Sequence, residues 1–352
     1  MFLKQTFSLE NQDTYRLELN FLVRPNEVHI EIESALFEYV ESEYSILDSY
    51  LIKDVGRQWE NAKKKHGLDL GSEKRDWKSY WHKRIATRLL IRAREGKFDE
   101  WISILNTSTP LRSKKISCEG GEFKILTSSG FMNLELLHSF HPEILGAEIS
   151  AIEFDNYHSS NLFDDVTMRF KRALSLLEKV FPVGARLFYE SVESIVSIDI
   201  NPKLSEGKCV SLAVAAAPGV IALTTPPIIL MAETVLHESA HSRLSAINLL
   251  RPLWRGGDKL VSSPFRSDLR PISGVLHQCY VLYWLKTFYE KLQHCEDDPL
   301  IKTNIKQIIK RCNQFVLDFE NALGVLNMHK DDLTDFGAAL LKLLQENGGD
   351  NC

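Results

Sequence analysis

Ala232 to Leu250 reads AETVLHESAHSRLSAINLL, and at its centre His237-Glu238-Ser239-Ala240-His241 is an HExxH. Residues four apart on an α-helix project from one face. His237 and His241 can therefore approach one metal ion. Glu238 sits beside them, able to act on a metal-bound water or to hold a ligand. Leu230, Met231, Val235, Leu236, Ala240 and Leu244 recur at helical spacing, so the stretch predicts a helix. The plainer alternative is a buried amphipathic helix whose two histidines only pack or hydrogen-bond.

Working upstream, Pro226-Pro227 stands where a proline is tolerated, at the opening of the helix. Val210–Ala216 and Val220–Thr225 flank Pro218-Gly219, a turn dipeptide, and predict a hairpin. Ser194–Ile200 and the short Arg186–Tyr189 read as further strands. Asp164 to Val180 predicts a helix capped by Asp164 or Asp165 and stopped at Phe181-Pro182-Val183-Gly184. A small antiparallel sheet running straight into an HExxH helix is the order found in zincin-like metalloenzymes, and the fold class expected is α+β, mostly helical. That is an analogy of pattern only.

Downstream, residues 251–269 read as a loop and Pro271 starts another helix. On that helix His277 shares a stripe with Tyr280, Val281, Trp284 and Phe288. A helix this apolar all round is buried, and a histidine inside it needs a partner. One reading is a core histidine bonded to a carbonyl. Beside an HExxH, which needs a third ligand, His277 becomes the best-placed candidate. His294, His329 and Glu290 are weaker ones. Ile301 to Leu323 predicts a long amphipathic helix, and Thr334 caps a last one from about Asp335 to Gln345.

Farther from the motif the sequence says less. Residues 1–150 show helical period from Val28 to about Trp59 and from Trp77 to Ile91, with a polar loop from Lys63 to Arg75 between them. They predict a helical N-terminal lobe with a substrate-holding role, joined to a metal-binding catalytic domain at 151–352. The basic residues near Arg84 and Arg88 read as a solvated face or as a groove for an acidic peptide. Two short strands, near Lys115–Ser117 and Glu122–Leu126, join at Gly120-Gly121. His138 and His141 flank Ser139-Phe140 just before Pro142; their HxxH spacing could suggest a metal, but the proline removes a regular helix and a turn is expected there.

The chain of 352 residues is 44% hydrophobic and 25% charged, ordinary values for a globular protein, with a net charge of −5. The mild acidity argues against nucleic acid as partner. No apolar run is long enough for a membrane span. The opening MFLKQTFSLENQDTY lacks the features of a signal peptide. Six scattered cysteines with no CxxC pair suggest reduced thiols, so a cytoplasmic location is expected.

LHESAH at 236–241 followed by DLRPISGVLHQCYV at 268–281 resembles the HEXXH-motif domain family found beside peptide natural-product gene clusters. Leu333, Thr334 and Gly337 match a Leu-Thr-x-x-Gly pattern at that family's C-terminal end, and the resemblance covers roughly residues 190–345. It implies an iron(II)- and 2-oxoglutarate-dependent oxygenase that β-hydroxylates a side chain of a ribosomal precursor peptide, using O₂. His237, His241 and His277 would hold the metal. Three histidines depart from the commoner 2-His-1-carboxylate set and would also suit zinc. Arg270, seven residues before His277 at a helix N-terminus, is the cation expected for the far carboxylate of 2-oxoglutarate, with a surface or structural arginine as the bland reading. Glu238 would then orient a ligand or water rather than serve as a base. The rival reading is a zinc-dependent metallopeptidase in which Glu238 deprotonates the zinc-bound water. A third is a non-enzymatic scaffold.

Overall fold

The computed structural model describes residues 113–126, 149–151, 160–200, 211–213, 219–255, 259–263 and 269–348, together with the helix α1 (Gly56–His66) and a few helical positions between 35 and 45. The expected helix at Trp77–Ile91, its basic face, and the turn at His138 and His141 lie outside the described residues. Helix α1 continues through His66, past the point where the polar loop was expected to begin.

The fold is a mostly helical α+β arrangement. Strands β1 (Ser113–Ser117), β2 (Glu122–Leu126), β3 (Ile149–Ala151), β4 (Ser194–Ile200), β5 (Ser211–Ala213) and β6 (Val220–Leu223) carry the main sheet, with helices α2 (Ser160–Val180) and α3 (Pro182–Ser191) between β3 and β4. The sheet path is β1-β2-β4-β6-β5, and β3 pairs with the far end of β4. Then follow α4 (Ile228–Leu250), the hairpin β7 (Leu260–Ser262) and β8 (Leu269–Pro271), α5 (Ile272–Gln293), α6 (Pro299–Met328) and α7 (Asp335–Gly348).

Several expectations are met. Thr334 caps α7, its hydroxyl accepting from Gly337 N at 3.0 Å. The hairpins β1–β2 and β5–β6 form where the turn residues stand, with Ser117 facing Glu122 and Leu212 facing Ala222. Gly219 supplies the turn before β6 at φ +88°, a conformation that suits a residue without a Cβ.

Others are corrected. The sheet is mixed, because β2, β4 and β6 run parallel to one another. Parallel neighbours need long crossovers, and α2 with α3 supply the one from β2 to β4. Arg186–Tyr189 is helical, not a strand. Pro182 opens α3 directly after Phe181, and α3 buries Ala185, Leu187 and Phe188. Helix α2 begins at Ser160, so neither Asp164 nor Asp165 caps it, and Asp165 instead pairs with Arg169 at 2.9 Å. The stretch 251–269 is not all loop, since β7 and β8 pair antiparallel across it. The β1–β2 hairpin precedes residue 150 yet belongs to the sheet next to β4, so a cut at 150 removes two of its strands.

Helix α4 is the core of the molecule. It packs against α2, α3, α5, β5 and β6. Met231, Val235, Leu236, Ala240, Leu244 and Ile247 are fully buried. Six polar residues on the same helix are buried with them, among them Glu233, Glu238 and Arg243. Charges survive such burial only when paired. Arg243 is wholly enclosed, and its guanidinium donates to Glu190 Oε2 at 2.7 Å and Ser191 Oγ at 2.8 Å on α3. Glu233 accepts from Tyr289 Oη at 2.6 Å on α5 and from Arg311 Nε at 3.0 Å and Nη2 at 2.5 Å on α6. Ser242 accepts from Gly219 N at 3.0 Å and donates to Ser191 O at 3.1 Å. These contacts fix the rotation of α4 about its own axis.

Glu190→Ala removes the carboxylate that the buried Arg243 guanidinium faces. Breaking a buried pair in this way costs about 3–5 kcal/mol. The denaturant midpoint should fall accordingly. Lys179→Ala, which breaks the exposed pair of Lys179 with Asp298, should barely move it.

Candidate metal centre

His237 and His241 lie one turn apart on α4, with ring centroids 4.8 Å apart and the rings edge to face. Helix α5 crosses alongside and brings in His277. Its ring stacks on His241 at 5.7 Å and 21°, and the two Nδ1 atoms are 3.4 Å apart. The structure thus gathers all three histidines named from the sequence, although His277 stands 36 positions beyond His241. His237 is the most open of the three, its side chain 39% exposed.

Burial shapes their chemistry. Desolvation holds His277 down at about 4. His241 is also held well below its ordinary value, by desolvation first and then by His237 and His277. Both rings are therefore neutral near pH 7, the form a metal ion requires. Two nitrogens on one tetrahedral ion at about 2.1 Å would be about 3.4 Å apart, the separation that the two Nδ1 atoms already have. The donor set fits a divalent transition metal. Convergence on one point is left to side-chain rotation: among the described residues, no three His, Cys, Asp or Glu side chains already stand in a ligating arrangement.

Glu238 lies between His237 and strand β5. It is 3% exposed. Its Oε1 accepts from Ser211 Oγ on β5 at 2.5 Å and lies 3.8 Å from His237 Nε2. Burial raises its carboxyl above the usual range. His237, the Ser211 hydroxyl and the Ala213 backbone N–H pull the other way. The carboxylate is thereby latched to β5, the edge strand at one end of the sheet path.

Arg270 is placed on β8, opposite Val261, directly before the proline that caps α5. It stands on the hairpin leading into the His277 helix. Glu290 is far from a ligand role, since it pairs with Lys286 at 2.9 Å. His329 faces Asp332 at 3.4 Å.

Residues of two segments near the histidines escaped the sequence reading. Ser211 and Ala213 belong to a strand that carries no motif, and only the pairing of β5 with β6 sets them over Glu238. Trp254 falls in the stretch read as loop, yet its ring stands 6.3 Å from His277. The helical spacing of the histidines carried no signal for either.

Comparison of the chain with known protein families and with curated proteins returned no match.

The lowered histidines carry a pH dependence. An unfolded His277 takes a proton near pH 6.5, whereas the folded one resists it until about 4. The unfolded state thus binds more protons between those values, and stability rises with pH across that window. The metal-free chain should lose stability as pH falls from 6.5 to 4. His277→Gln should flatten that slope relative to the unaltered chain, as read by denaturant midpoints in the presence of a chelator. Parallel slopes in the two proteins would contradict it.

Proposed function

We propose that this chain is an iron(II)- and 2-oxoglutarate-dependent oxygenase that hydroxylates the β-carbon of a side chain in a ribosomally made precursor peptide, working in the cytoplasm. The observation that carries the reading is the position of Glu238. Its carboxylate is buried and already engaged by Ser211 and Ala213. A hydrolytic base must reach a metal-bound water and have access to the substrate. A latched carboxylate serves better to fix the helix register and the His237 ring. The resemblance of LHESAH and RPISGVLH to the HEXXH-motif domain family supports the same chemistry.

We read the fold as zincin-like in its essentials, with the antiparallel edge strand β5 lying along the HExxH helix. His237, His241 and His277 would hold the metal. Bound iron(II) would supply the redox chemistry that couples oxidative decarboxylation of a 2-oxo acid to oxygen transfer. The stoichiometry balances as C–H plus O₂ plus 2-oxoglutarate giving C–OH plus succinate plus CO₂. Three protein ligands leave three positions on a six-coordinate ion, enough for a bidentate 2-oxo acid and O₂. Arg270, whose partner strand β7 buries Val261, would bind the far carboxylate of the co-substrate. Burial of His241 and His277 keeps them neutral and unprotonated, and it limits water beside the reacting carbon.

The test is mass spectrometry of a candidate precursor peptide incubated with the iron-loaded chain. A gain of one oxygen that requires 2-oxoglutarate and releases succinate is expected. Glu238→Gln should retain part of this turnover, and Arg270→Ala should raise the 2-oxoglutarate requirement about tenfold before it affects metal content. Peptide cleavage with zinc, without 2-oxoglutarate and abolished by Glu238→Gln, would overturn the reading in favour of a metallopeptidase.

A further inference from the structure

The Leu333, Thr334 and Gly337 pattern plays no part in the site as described so far. Its contacts give it one. The strap that follows α4, residues 251–255, is tied to the segment entering α7 along its length. Trp254 pairs with Leu333 in an antiparallel bridge. Arg255 N donates to Asp332 O at 2.7 Å, and Thr334 N donates to Leu253 O at 3.2 Å. The Thr334 hydroxyl donates to Pro252 O at 2.7 Å while it accepts from Gly337 N. Asn248 Oδ1, on the last turn of α4, accepts from Leu253 N at 3.2 Å. A Cβ on Gly337 would stand 1.9 Å from Leu253 O, so only glycine lets the strap lie this close to α7. Leu253 and Leu333 are both buried under the contact. The residue between these anchors is Trp254, half-buried, with its indole tilted at 59° to the His277 ring and 6.3 Å from it.

We propose that Leu333, Thr334 and Gly337 form a clamp whose purpose is to hold Trp254 against His277, which makes Trp254 a positioning residue for that ligand. The inference rests on the reading of the three histidines as metal ligands. His277 has His241 on one side and Trp254 on another, so the indole limits the rotations that would turn its nitrogen away from the other two histidines. Groups that orient a ligating histidine from outside the ligand set contribute about 10–100-fold to metal affinity. The clamp also joins the C-terminal helix to the metal centre through a chain of backbone contacts. Looseness at Thr334 should therefore be felt at a histidine whose own side chain Thr334 does not bond.

The experiment uses cobalt(II) as the probe, with bound metal measured by equilibrium dialysis and Trp254 emission taken as the difference between the unaltered chain and Trp254→Phe. The subtraction is needed because the chain holds six tryptophans. The unaltered chain should take up one equivalent of cobalt(II), which quenches Trp254. Thr334→Val keeps the shape and removes both hydroxyl bonds. It should bind cobalt(II) about tenfold more weakly and lose much of the quenching at saturation. Thr334→Ser should restore both. Trp254→Ala should show the same loss of affinity without touching the clamp. Unchanged affinity and quenching in Thr334→Val, or unchanged affinity in Trp254→Ala, would overturn the inference while leaving the metal site intact. Failure of the unaltered chain to take up cobalt(II) at all would overturn the metal reading itself, and the inference with it.

Discussion

A helix packed against five neighbouring elements has little freedom to rotate once it carries buried charges, and α4 is such a helix. Arg243 must face Glu190 and Ser191, and Glu233 must face Tyr289 and Arg311. These two charged anchors stand ten positions apart on the helix, and the HExxH lies between them. At 100° per residue the two constraints leave one rotation that satisfies both. That rotation points His241 at α5, with His237 one turn away, and Glu238 at β5. The packing around α4, the pairing of its charges and the aim of its histidines are thus one constraint seen from three sides.

The electrostatics of the centre follow from the same burial. Enclosing His241 and His277 favours their neutral forms, since a charged imidazole would have to give up its hydration. Neutral imidazoles 3.4 Å apart at Nδ1 neither repel nor bond strongly, and they remain available as donors to a metal. Glu238 shows the opposite outcome of burial. Its carboxyl is raised by desolvation, and a hydroxyl and a backbone N–H from an edge strand offset that rise. The edge strand thus holds a carboxylate in the middle of a neighbouring helix through two hydrogen bonds.

The elements after α4 complete the centre by approaching it from different directions. Helix α5 delivers His277 and the strap at 251–255 delivers Trp254. The β7–β8 hairpin ends at Pro271, the cap of α5, and so carries Arg270 to the mouth of that helix. Exposed leucines at 260 and 269 lie on the outer face of the hairpin, while Val261 turns inward, the alternation a half-buried ribbon requires. Among the described residues, Cys118, Cys279, Cys295 and Cys312 are all free thiols, and no helix is long and apolar enough to cross a membrane.

The sequence by itself determined what depends on local period and local chemistry. The HExxH helix, the helix of His277, the two-glycine hairpin at 113–126 and the Thr334 cap were all legible, because each is specified by residues within a turn or two of one another. The gathering of His277 with the HExxH pair was legible as chemistry, since a lone histidine on an apolar stripe needs a partner. The tertiary structure alone decided the rest. Parallel pairing of β2, β4 and β6 depends on contacts between segments tens of residues apart, which no local alternation encodes. The 186–189 stretch became helix because Pro182 offered a start and the core took Leu187 and Phe188, a burial preference that overrides weak strand propensity. The bond from Ser211 to Glu238 was likewise invisible beforehand, because it joins the motif to a strand more than twenty residues away whose position only the sheet pairing sets.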